Sequence, residues 1–84
     1  MNRRDVYARI DEELTYLDNL CGGSPFDNSL PVADWLDAIN AHLMRAQYRA
    51  DIADIAAALD ELRQIAALAV ACMEYHGCPP RGDA

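Results

Sequence analysis

The sequence predicts an all-α protein, a three-helix chain that forms a helical bundle completed by oligomerisation. Three observations carry this. Apolar residues recur in steps of three and four along three separate segments, the spacing of a helix face rather than of a strand. Glycine and proline cluster only between and after those segments. Hydrophobic residues make up 52% of the chain but aromatic ones only 7%, so the core is built from Ala, Leu, Ile and Val at close helix contacts.

At 84 residues the chain is one domain, residues 1–84, near the lower limit at which a single core folds without staples, metal or a partner. The first helix is expected over about residues 3–20. Val6, Ile10, Leu14 and Leu17 repeat at helical spacing, Asn2 is placed to cap the first turn, and Asp5 puts a carboxylate where the helix dipole favours it. A loop follows at 21–30, CGGSPFDNSLP up to its proline, with Phe26 as its pin to the core. Its length suits a segment that covers a groove mouth.

The second helix is expected over 31–48, with Ser29 and Pro31 at its start. Its spacing assigns Val32, Trp35, Leu36, Ile39, Leu43, Ala46 and Tyr48 to a buried stripe. His42 sits beside that stripe as a hydrogen-bonded flank residue. The third helix is expected over 52–76, capped by Asp51, with Ile52, Ile55, Leu59, Leu62, Ala66, Ala69 and Met73 on one face. Gly77 is placed to end it in a left-handed conformation, and Pro79 and Pro80 forbid resumption, leaving a short tail at 78–84.

Ile65 to Met73, IAALAVACM, is nine consecutive apolar residues, which leaves no wet face. Protein is therefore expected on every side of it. So short a chain supplies few neighbours, and part of the cover is expected from another copy, with Ile65, Leu68, Ala69, Cys72 and Met73 as the oligomer interface. Nine residues fall far short of the roughly 20 that cross a bilayer, so no membrane association is expected.

Seven arginines and no lysine stand against fourteen carboxylates, for a formal charge of −7. That balance disfavours direct binding to a nucleic-acid backbone. MNRRDVYAR has no apolar run after its arginines, and the three cysteines, Cys21, Cys72 and Cys78, match no zinc spacing. A cytoplasmic protein with reduced thiols is expected.

Phosphate-binding glycine loops and the common catalytic signatures are missing. What remains is carboxylates on helices: Asp11, Glu12 and Glu13, the i, i+3 pair Asp34 and Asp37, and Asp60 and Glu61. Residues three or four apart share a helix face, so such acids either hold Mg²⁺ together with substrate phosphates or form a solvated acidic surface.

IDEELTYLD, DNSLPVADWLDAINAHLMRA and above all LRQIAALAVACMEYHGCPPR make the chain resemble small phage and prophage proteins that are similar to the MazG-like all-α nucleotide pyrophosphohydrolases. The resemblance spans about residues 8–81. It implies a dimer or tetramer of helical subunits and Mg²⁺-dependent release of pyrophosphate from nucleoside triphosphates. It further implies Glu12 and Glu13 as catalytic groups, Asp34, Asp37 and Glu61 as metal ligands, and Arg45 and Arg63 as phosphate contacts. The pattern departs from that family after Glu13, where Thr15 and Tyr16 stand in place of a third acid. Loss of that acid suits either a nucleotide-binding protein without turnover or a small acidic interaction protein that binds and inhibits a host complex, of the anti-defence kind.

Overall fold

The computed structural model describes residues 1–20 and 30–82. The expectations for Cys21, Phe26 and Ser29 lie outside the described residues. Among those described there are three helices and no strand: α1 (Arg3–Leu20), α2 (Val32–Asp51) and α3 (Ile55–His76). The all-α prediction holds, and α1 has the expected bounds.

Local chemistry explains each boundary. The Asn2 side chain accepts the Asp5 N–H at 2.9 Å, satisfying a donor that a first turn otherwise leaves orphaned. Pro31 is the N-cap of α2, with φ −57° and ψ 152°, so this helix begins one residue later than its spacing suggested. It also runs to Asp51, three residues further than expected, and there the sequence reading needs correcting. Asp51 does not cap α3. Instead Ala53 takes φ +61°, its N–H bonds to the Ala50 carbonyl at 3.0 Å, and the Asp54 N–H reaches back to the Arg49 carbonyl at 2.8 Å. These two bonds are the Schellman closure of a helix C-terminus, here with alanine where glycine is usual. Asp54 at once caps the next helix, its Oδ1 accepting the Ala57 N–H at 3.2 Å. One residue thus closes α2 and opens α3.

At the far end Gly77 adopts φ +105° and ψ 156°. The positive φ was expected; the ψ is extended rather than left-handed helical, a region that glycine alone visits freely.

α3 is the shared element. α2 packs along it and α1 packs along it, while no α1–α2 helix interface forms among the described residues. The core lies in the α2–α3 seam, where Trp35 (1% exposed), Leu68 and Cys72 form a cluster backed by Leu30, Ala38, Ile39 and Ala71. Ala46, Ala58 and Ala67 are also buried, and these small side chains let helix backbones approach closely. His76 Nε2 meets the Leu30 carbonyl at 2.7 Å, tying the last turn of α3 to the entry of α2.

The expected buried stripes are corrected by this arrangement. On α2, Trp35 and Ala46 are buried and Ile39 is half-buried, but Val32, Leu36, Leu43 and Tyr48 are exposed. Ile52, which proves to be the C-cap of α2, and Ile55, Leu59, Leu62 and Met73 on α3 are exposed too. The seam uses a different face, that of Ala58, Leu68 and Cys72. The nine-residue run is likewise not wrapped on all sides within one chain: Ala67, Leu68 and Cys72 are buried, Ile65, Ala66, Ala69, Val70 and Ala71 are half-covered, and Met73 is exposed. None of the described helices is long and apolar enough to cross a membrane.

Candidate functional site

Two polar clusters flank α3, one on each neighbouring helix. The first joins α3 to α1. Arg63 donates from Nε to Glu13 Oε1 at 2.9 Å and from Nη2 to Asp60 Oδ1 at 2.6 Å. Gln64 donates to the other Asp60 oxygen at 3.0 Å. The i, i+3 spacing of Asp60 and Arg63 puts them on one face of α3, and the packing of α1 brings Glu13 to that face from fifty residues away. Glu13 is only 11% exposed, so its charge needs this partner. The two carboxylates hold the Arg63 guanidinium even more firmly protonated than usual, Glu13 contributing most.

One turn along α1, Arg9 grips both oxygens of Glu12 at 3.1 and 3.2 Å. Arg9, Glu12, Glu13, Tyr16 and Arg63 line a shallow pocket of about 250 Å³. Two guanidinium groups therefore face one cleft, each oriented by a carboxylate. Such forks match phosphate or carboxylate oxygens in pairs.

The second cluster joins α3 to α2. Glu61 Oε2 lies 2.6 Å from His42 Nδ1, and Glu61 Oε1 accepts from Arg45 Nε at 3.2 Å. Arg45 Nη2 also lies 3.0 Å from the same histidine nitrogen. A single ring nitrogen cannot donate to Glu61 and accept from Arg45 together, and the shorter contact, to a carboxylate oxygen, favours donation to Glu61. The His42 hydrogen bond holds the Glu61 carboxyl below the usual glutamate range; partial burial opposes this, and Arg45 adds to the lowering.

The residues singled out in the sequence thus separate into three places. Glu12, Glu13 and Arg63 share the α1–α3 pocket. Glu61 and Arg45 pair across the α2–α3 seam, with both Glu61 oxygens occupied. Asp34 and Asp37 lie exposed in the first half of α2. No three histidine, cysteine or acidic side chains among the described residues are grouped to hold one ion. Of the interface residues expected on α3, Leu68 and Cys72 are already covered by Trp35 within one chain, and Met73 is open to solvent.

Sequence reasoning passed over Arg9, and it named Asp60 only among the helix carboxylates and Tyr16 only where a third acid is missing. The i, i+3 spacings of Arg9 with Glu12 and of Asp60 with Arg63 were the available signals. His42, read as a flank residue, is the anchor of Glu61.

Compared with models of known protein families, with curated proteins and with solved structures, the chain has no match.

Proposed function

We propose that this chain is a nucleotide-binding helical protein of the MazG-like, phage or prophage type, in which the α1–α3 pocket receives the phosphate groups. The observation that supports this most is the convergence of Arg9 and Arg63, each braced by a carboxylate, on one cleft that also contains Glu12, Glu13 and Tyr16. A nucleoside triphosphate presents several adjacent anionic oxygens, which guanidinium forks match in pairs. Incoming phosphate competes for the arginines and frees carboxylate oxygens, which then face the ligand's own counter-ion. Mg²⁺ enters this reading as the cation carried by the triphosphate, and no hydrolytic step is assigned to it.

Titration of the protein with a panel of nucleoside and deoxynucleoside triphosphates, with and without Mg²⁺, tests the reading. Saturable binding is expected, weakened about tenfold or more by Arg9→Ala, since one bidentate charged contact is worth about 1.5–3 kcal/mol. A pyrophosphate assay on the same samples decides whether binding leads to turnover. Absence of binding for every nucleotide removes the proposal.

A second reading is that of a small acidic interaction protein acting on a host complex. It draws on the combination of a charge of −7 with many large apolar side chains at the surface. Capture of a defined basic partner that weakens as salt rises supports it; nucleotide binding without such a partner counts against it.

A further inference from the structure

We propose that the groove between α1 and α3 takes the single apolar chain of a phosphorylated amphiphile, whose phosphate sits at Arg9 and Arg63. This names a class of ligand and rests on the same placement of phosphate at those two arginines. Val6 and Ile10 of α1 and Ala56, Leu59, Leu62 and Ala66 of α3 line a groove of about 630 Å³. Ligand pockets run to about 300–1,000 Å³ and are mostly apolar, with a few polar groups that fix orientation. Val6, Leu59 and Leu62 are 42–58% exposed, so apolar side chains wall the groove without filling it.

Arg9 and Arg63 line this groove and also the polar pocket of about 250 Å³ beside it. The two spaces thus meet at a pair of guanidinium groups, and a ligand that uses both joins an anion to an apolar body. Arg63 uses Nε and Nη2 on Glu13 and Asp60, while Arg9 uses Nη1 on Glu12. Arg63 Nη1 and Arg9 Nε and Nη2 lie outside these bonds, and charged donors of this kind suit phosphate oxygens. Residues 1–10, which supply Val6, Arg9 and Ile10 to the groove, hold three of the chain's seven arginines and one of its fourteen carboxylates. An anion is therefore drawn to this end of a chain that is acidic elsewhere.

Size and shape select the occupant. An α-helix about 10 Å across fills roughly 420 Å³ per turn, so the groove holds about one and a half turns. That is fewer than the i to i+7 anchors of a docked amphipathic helix require. A bilayer presents a plane, whereas these side chains line a concavity. An unbranched hydrocarbon chain asks for no hydrogen bonds, so apolar side chains satisfy it along its whole length, and each methylene it buries tightens binding by about twofold to fourfold.

Calorimetric titration of the full chain with hexyl, octyl and decyl phosphate, each below its critical micelle concentration, tests the proposal. Affinity is expected to rise roughly 4- to 16-fold with each two added methylenes. Ala56→Phe, which puts a ring into the groove, is expected to flatten this dependence with unchanged helical circular dichroism. Should that variant unfold, Leu62→Ala is expected to reduce the same slope. Arg9→Ala is expected to weaken all three ligands about tenfold or more, and Leu36→Asn, exposed on α2, to change none. Equal affinities at the three chain lengths, or a slope that survives both groove variants, overturns the proposal. Binding to phosphatidylglycerol vesicles with none to monomeric decyl phosphate equally overturns it and assigns the patch to a membrane surface. A nucleoside triphosphate titrated in parallel separates the two readings. Nucleotide binding without chain-length dependence removes the apolar chain alone, decyl phosphate binding with the slope and no nucleotide binding removes the nucleotide alone, and no binding of either removes both.

Discussion

The two sides of α3 differ in how they are finished. Toward α2 the contact has an apolar centre and a polar flank: Trp35 packs with Leu68 and Cys72, Glu61 binds His42 and Arg45 beside them, and the Ala53–Asp54 connection joins the two helices directly. Toward α1 the contact is polar at Arg63 and Glu13 and open at Val6, Leu59 and Leu62. The same helix thus carries a face satisfied within the chain and another that one chain leaves uncovered. A small protein with material for only one core commits it to one seam and leaves the other to assembly or ligand binding.

The largest effect that separates the two sides is expected at Trp35. Trp35→Ala removes the one large side chain that is fully buried among the described residues, at a cost of about 3–5 kcal/mol, most of the stability of so small a domain. Chemical denaturation is expected to find it largely unfolded, whereas Leu36→Ala, one residue away and exposed, changes stability by less than about 0.5 kcal/mol. Comparable losses from the two variants contradict the assignment of the core to this seam.

The polar link to α1 comes next. Glu13 and Arg63 are expected to couple by about 1–2 kcal/mol in a double-mutant cycle, because Glu13 is nearly covered and a shielded carboxylate left without its partner retains its desolvation cost. Arg9 and Glu12, both more than half exposed, are expected to couple by less than about 0.5 kcal/mol. Equal couplings place the α1 contact in solvent and remove the basis of the oriented pocket.

The α2–α3 side also has a signature in acid. The folded state holds Glu61 below its ordinary value of 4.5, so more protons bind to the unfolded chain as pH falls. This contribution is fully present above about pH 5 and is lost as pH drops through and below 4.5. Glu61→Gln is expected to flatten that limb of a pH–stability curve and leave the neutral range less stable. An unchanged acid limb means that His42 and Arg45 do not hold the carboxylate in solution.

The smallest effect is expected at the helix junction. Ala53→Gly relieves a left-handed alanine, and after the entropic cost of glycine a gain of roughly 0.5–1 kcal/mol is expected. A loss instead contradicts the φ of +61° assigned there.

Helix number and approximate position were legible because they depend on period and punctuation, which are local. Which stripe of α3 enters the core was not. Ile55, Leu59, Leu62, Ala66 and Met73 repeat as regularly as Ala58, Leu68 and Cys72, and periodicity alone cannot say which face meets α2. The junction was misread because Asp51 and Asp54 are both good caps and an alanine carries no sign of a positive φ. For the site, the acids were legible as residue types at helical spacing, and Arg63 only through the family resemblance. Their partition was not, because Glu13 with Arg63 and His42 with Glu61 are long-range pairs set by packing.

The central contrast is tested most directly by hydrogen exchange of the wild type. Amides around Trp35 in α2 and Leu68 in α3 are expected to show the greater protection, while those of α1 and of the Leu59–Ala66 turns exchange faster. Protection that is uniform along the chain contradicts the account.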